Sequence, residues 1–177
     1  MEDRKLVVVG VDGSEDGLRA VKYGASFAVE TDGELLLVHA VDDAMLAGAW
    51  GVVYDPEVLQ NAGASANEAA AARAREIGLP EDRIRTEVVL GSPGGVLGRL
   101  SEVADLIVVG RRSVSGLERM FVGSTSVSVV ASSRCPVLVI SAAAHPQDVG
   151  NKKLIGVGLN TSRVNHSTLA AGFEQAQ

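Results

Sequence analysis

The sequence predicts an α/β fold: a doubly wound open sheet of five mainly parallel strands with helices on both faces. Three observations carry that expectation. Five short apolar runs are separated by stretches of helical apolar spacing, giving β-α-β-α-β-α-β-α-β. The first run, Lys5 to Val11 (KLVVVGV), shows no alternation of apolar and polar residues, as expected of a central strand covered on both faces. Glycine, at places with proline, punctuates the junctions, and strands joined through helices lie parallel with right-handed crossovers.

Each element has its own signal. The first strand stops at Asp12-Gly13-Ser14, where Ser14 can cap a helix with Glu15 and Asp16 in its first turn and Leu18, Val21, Ala25 and Ala28 at helical spacing. Gly33 marks the next turn, and Glu34 to Val41 (ELLLVHAV) is the second strand. A looser segment through Trp50, Tyr54 and Pro56 precedes an alanine-rich helix from Glu57 to Ile77, with Glu68, Arg73, Arg75 and Glu76 for its wet face. Gly78 and Pro80 end it. Ile84 to Leu90 is the third strand. Gly91-Ser92-Pro93-Gly94-Gly95 then opens a short helix through Val96, Leu97 and Leu100, with proline where its missing N–H costs little. Leu106 to Val109 is the fourth strand, a helix runs from about Ser124 to Ser133, and Pro136 to Ile140 is the fifth strand.

Composition excludes several function classes. The 177 residues suffice for one such domain with a surplus. Hydrophobic residues at 46% and charged ones at 21% fit a globular chain. No apolar run has the length of a membrane span, and MEDRK leads into a strand without a signal-peptide core, so neither membrane nor export is expected. A formal charge of −6 and an aromatic content of 3% oppose nucleic-acid binding. Cys135 is the single cysteine, which rules out an intrachain disulfide, makes zinc unexpected and points to a reducing cytoplasm.

The functional signal lies between Leu106 and Ser126. The fourth strand ends at Gly110, and a loop with Arg111, Arg112, Gly116 and Arg119 closes on Gly123, Ser124, Thr125 and Ser126 at a helix start. Free N–H groups there carry about half a positive charge, which suits a phosphate. In an open doubly wound sheet, ligands sit beyond the carboxyl ends of the strands where the winding reverses. The first and fourth strands are the natural neighbours at that point. They end at Gly10 and Gly110, so a site is expected between Asp12 and the Gly110 to Ser126 loop.

Plainer roles compete with this one. Ser124 serves as an ordinary N-cap, Asp12 as a cap for the first helix, and the arginines as solvated loop charges. His39, inside an apolar strand, reads as a satisfied core histidine, and Cys135 before proline as a small hydrophobe. Asp42 and Asp43 are adjacent and point to opposite faces of an extended chain, so they form no simple acid/base pair. Neither a Walker loop nor GxGxxG after the first strand is present, which disfavours fast NTP hydrolysis and NAD chemistry.

A repeat marks the C-terminal end. Leu6 to Ser14 (LVVVGVDGS) aligns without gaps on Leu154 to Ser162 (LIGVGLNTS), Lys5 falls on Lys153, and Gly24 on Gly172. The expected organisation is a domain over 1–143, a linker over 144–152 and the start of a second, incomplete copy over 153–177.

VGVDGS, LLLVHAV, VVGRRS…GSTS and CPVLVI together resemble the universal stress protein family over about Leu6 to Ser141. The resemblance implies the adenine nucleotide alpha-hydrolase-like fold with strand order 3-2-1-4-5. Nucleotide-binding members have a glycine, two residues, a second glycine, nine residues, then glycine and Ser or Thr. Gly110, Gly123 and Ser124 match, but Ser113 stands where the second glycine would be. If the backbone is left-handed there, a Cβ costs roughly 1–2 kcal/mol.

By resemblance, Val11 and Asp12 would border the adenine of ATP, as would Ala40 or Val41 of the second strand. Val109 and Gly110 would lie by the ribose, and Arg112, Ser113, Gly123, Ser124, Thr125 and Ser126 along the phosphates. Mg2+ could accompany those phosphates, with no evident dedicated protein ligand. The function implied is regulatory ATP binding in stress response, with at most slow hydrolysis. A family member that binds no nucleotide and acts through protein association is the alternative. An adenylating enzyme is a third reading, disfavoured by the lack of a Ser-Gly-Gly loop after the first strand. A homodimer through the edge strand Val137 to Ile140, or intrachain pairing with a second copy, is the expected assembly.

Overall fold

A computed structural model describes residues 4–42, 55–111 and 123–141. These belong to the first of two units, Met1–Ala144; the second, His145–Gln177, lies outside the described residues, and the expected repeat lies with it. The strands are β1 (Leu6–Gly10), β2 (Glu34–Val41), β3 (Ile84–Leu90), β4 (Leu106–Gly110) and β5 (Val137–Ile140). All pair in parallel, in the order β3-β2-β1-β4-β5. The helices are α1 (Glu15–Glu30), α2 (Pro56–Glu76), α3 (Pro93–Leu100) and α4 (Ser124–Ser132). The winding therefore reverses between β1 and β4, as expected.

Period-two geometry splits the core into two layers. Val7 and Val9 of β1 and Leu35 and Leu37 of β2 pack with α1 and α2. Val8, Leu36 and Val38 point the other way, onto Val96 and Leu97 of α3 and Val129 of α4. Each layer is thin because small residues face it. On α2 the buried positions are Gly63, Asn67, Ala70, Ala71 and Ala74, a stripe at helical spacing without a long side chain among its apolar members. α3 and α4 approach closely through glycine and serine: a Cβ on Gly94 would lie 2.4 Å from Ser128 Oγ, and one on Gly98 2.8 Å from Ser132 Oγ.

Local chemistry sets the boundaries. Ser14 caps α1 by accepting from the Gly17 amide at 3.1 Å. Asp55 caps α2 and Pro56 occupies its first turn, so that helix begins one residue before Glu57. At the end of α1 it is Asp32, with φ 53°, that takes the left-handed turn. Gly33 is needed for space, since a Cβ there would lie 2.6 Å from the Lys5 carbonyl oxygen. Arg75 on the wet face of α2 pairs with Glu68 at 2.7 Å and Glu81 at 2.9 Å, joining that helix to the 3-10 turn Glu81–Arg83.

Candidate functional site

A cavity of about 390 Å³ opens at the carboxyl ends of the strands, where β1 and β4 part. Val11 and Asp12 after β1, Ala40 and Val41 of β2, Val109 and Gly110 of β4, and Gly123 through Ser126 all line it. Ten of the twelve expected site residues are thus brought together; Arg112 and Ser113 lie outside the described residues.

Two glycines shape this end of the sheet. A Cβ on Gly10 would meet Leu97 Cδ1 at 3.0 Å and Val109 Cγ1 at 3.3 Å, so β1 ends in glycine to admit α3. At Gly110 the obstruction is backbone. A Cβ would lie 2.5 Å from the Asp16 carbonyl carbon and 2.7 Å from the Gly17 nitrogen, so the first turn of α1 rests on the end of β4. That contact holds Asp12 beside the cavity. The carboxylate accepts from the Ser14 amide at 3.0 Å and the Ser14 hydroxyl at 2.6 Å, the geometry of an Asx turn. Asp12 therefore both ties the helix cap and lines the cavity, combining the two roles that the sequence left as rivals.

The opposite wall is the start of α4. Gly123 occupies the cap position with φ −56° and ψ 147°, and no side chain caps the helix. The first intrahelical bond runs from the Val127 amide to the Gly123 carbonyl at 3.0 Å. Among the described residues, none accepts from the amides of Ser124, Thr125 or Ser126. These are the donors that a helix start leaves for an anion. The Ser126 hydroxyl is buried and donates to the Gly110 carbonyl at 3.4 Å. The Arg111 amide donates to the Ile140 carbonyl at 2.6 Å and joins the ends of β4 and β5.

The third wall was not legible in the sequence. Leu59 and Ala62 of α2 line the cavity beside His39 of β2. His39 is half-buried, and its Nδ1 is buried without a hydrogen-bond partner among the described residues. The expectation of a satisfied core histidine is thereby corrected: strand alternation puts His39 on the face of Leu35 and Leu37, but at its height that layer opens into the cavity. Pro93 and Leu97 of α3 line it from the other layer, and Gly10, Val38 and Asp42 belong to the lining as well. Among the described residues, no group of three His, Cys, Asp or Glu side chains could hold a metal ion, and no helix is long and apolar enough to cross a membrane. Cys135 is half-buried, with Sγ 3.7 Å from Ser133 Oγ and away from the cavity lining.

Known proteins are similar to this chain in sequence and fold. The family model described as universal stress protein family matches residues 4–141. A universal stress protein of Methanocaldococcus jannaschii is 33% identical over 143 residues, covering 77% of this chain and 81% of that protein. One from Mycobacterium tuberculosis is 31% identical over 181 residues, covering 96% of this chain, which spans 59% of that relative's length. Among solved structures, UspA from Lactobacillus plantarum aligns with a TM-score of 0.61 at 25% identity, covering 78% of this chain and 99% of that one. A universal stress protein crystallised in complex with cAMP aligns with a TM-score of 0.59 at 27% identity, covering 77% of this chain and 95% of that one. With the sheet order, the glycine-lined strand ends and the family match all agreeing over the same residues, the chain belongs to the universal stress protein family.

Proposed function

We propose that the chain binds an adenine nucleotide, ATP in the first place, in the cavity above β1 and β4, and that it acts by reporting occupancy rather than by chemistry. The observation that carries this reading is the uncapped start of α4, whose unspent amides at 124 to 126 open on a ligand-sized cavity. Support comes also from the similar structure that holds cAMP. Val11, Asp12, Ala40 and Val41 would border the adenine, Val109 and Gly110 the ribose, and Gly123, Ser124, Thr125 and Ser126 the phosphates, joined by Arg112 and Ser113. Strand spacing fits this division: β2 and β4 lie two spacings apart, about 10 Å, the reach from a base to its first phosphates. Mg2+ would ride on phosphate oxygens and water, as it commonly does.

Gly110 and Gly123 both line the cavity, so a ligand held there would meet both ends of the segment between them. A nucleotide that favours one arrangement of that segment would shift its population and change the surface a partner meets. Assembly follows from the edge. β5 is the outer strand on its side of the sheet, and Leu138 on it and Val127 and Val130 on α4 are exposed, which suits a homodimer or pairing with a second copy in the same chain. The tandem reading of 153–177 draws support from the mycobacterial alignment, which covers 96% of this chain where the family model stops at 141. The single cysteine and the acidic composition favour a cytoplasmic role without nucleic acid.

Mass spectrometry of small molecules released from the purified protein, with calorimetric titration of ATP, tests the proposal. Retained nucleotide or a saturable heat is expected; finding neither overturns it. A second reading, association without nucleotide, is motivated by Ser113 at the expected glycine position. It requires that Ser113→Gly create or greatly tighten ATP binding, whereas equal affinity in both proteins removes its basis.

A further inference from the structure

The base end of the cavity contains a group that no plain structural role satisfies. A neutral imidazole offers one donor and one acceptor nitrogen, and a buried polar atom without a partner costs about 1–3 kcal/mol. His39 Nδ1 is such an atom. The ring is also held closely: a Cβ on Gly63 would lie 2.7 Å from His39 Cδ2, 3.2 Å from Cγ and 3.1 Å from the Val88 side chain. Gly63 thus lets α2 close on the imidazole and limit its rotation, while Val88 lies opposite His39 in the β2–β3 register.

What surrounds the ring indicates what it would meet. Leu59, Ala62, Ala40 and Val41 line the same cavity as His39 and offer apolar surface suited to the faces of a flat heterocycle, with Asp12 and Asp42 also in the lining. Among its side chains, an imidazole offers the hydrogen bond that fixes such a ring edge-on. We propose that His39 is a specificity-determining residue: its imidazole hydrogen-bonds the nucleobase, and Gly63 sets the position from which it does so. This rests on the nucleotide reading above. Gly110 on β4, at the phosphate end, is two strands away from His39 on β2, so the two ends can be tested separately.

The test uses the full chain. ATP is titrated into the unsubstituted protein and into His39→Leu by calorimetry, and the imidazole nitrogens of the 15N-histidine-labelled unsubstituted protein are followed by NMR as ATP is added. Expected are an affinity about tenfold weaker in His39→Leu, the loss of one hydrogen bond with its partner left unpaired, and a shift of the His39 nitrogen resonances on binding. ATP binding within twofold of the unsubstituted protein, or His39 resonances that stay in place while ATP saturates, overturns the assignment and leaves the nucleotide reading standing. No ATP binding by the unsubstituted protein overturns both. Should His39→Leu fail to fold, the NMR result decides alone.

Discussion

Gly110→Ala tests the link between fold and site most directly. The added methyl would sit 2.5 to 2.7 Å from the carbonyl carbon and oxygen of Asp16 and the nitrogen of Gly17, inside the van der Waals limit of three backbone atoms. Rotating a side chain cannot relieve that, so the first turn of α1 must lift. Overpacking costs about 1–3 kcal/mol, and a backbone obstruction belongs at the upper end. Replacing glycine in a strand returns about 0.5–1 kcal/mol of backbone entropy. The net loss is about 2 kcal/mol, or about 4–8 °C in Tm for a unit of this size. Gly95→Ala is the control, because it lies on the exposed side of α3 and its Cβ would meet only movable side-chain ends, the Ser92 hydroxyl at 2.9 Å and Arg99 Nη1 at 3.8 Å. That variant should unfold within about 0.5 kcal/mol of the unsubstituted protein. Thermal and urea unfolding followed by circular dichroism supply both numbers. If Gly110→Ala is as stable as Gly95→Ala, α1 does not rest on β4 as described. Nucleotide affinity should fall with stability in Gly110→Ala, since lifting α1 also moves the Asp12–Ser14 turn.

Two further outcomes follow from contacts elsewhere in the fold. Gly98→Ala should destabilise by about 1–2 kcal/mol through its approach to the Ser132 hydroxyl, and Ser132→Ala should recover at least about 0.5 kcal/mol of that. Additive losses in the double variant, measured by urea unfolding, would mean the two helices do not meet there. Ser14→Ala removes the cap bond to the Gly17 amide and one partner of Asp12, at a cost of about 1 kcal/mol, whereas Ser14→Thr keeps a hydroxyl and should stay within a few tenths. Equal midpoints for the two Ser14 variants would show that the cap contributes nothing.

Much of the fold was legible because its signals are local. The second and third strands were read at Glu34 to Val41 and Ile84 to Leu90 and have those bounds, since apolar runs bracketed by turns depend on nearest neighbours. The start of α4 at Ser124 was likewise read correctly from Gly123 and the hydroxyl run after it. β4 runs one residue further than expected, through Gly110, which continues the ladder to Ile140. Leu18 is only half-buried, and the face of α1 toward the sheet includes Gly24, where a Cβ would lie 2.6 Å from Val9 Cγ2. No spacing rule marks a glycine as a contact surface. His39 is the clearest limit. Alternation gives its face correctly, but whether that face is packed or open at its height depends on where α2 crosses, and α2 is joined to β2 by residues between 43 and 54.

Residue order alone was enough to specify the five-stranded parallel class, the cap at Ser14, the start of α4 at Ser124 and the pairing of a phosphate-friendly helix start with Gly110, because capping, strand propensity and turn chemistry act within a few residues; the cap position itself fell to Gly123 rather than to Ser124. Tertiary structure alone decided that Gly110 carries the first turn of α1, that Asp12 is at once tie and lining, and that His39 faces a cavity rather than a core. These depend on distances between elements far apart in the chain. Such distances are set by how closely small residues let helices and sheet approach.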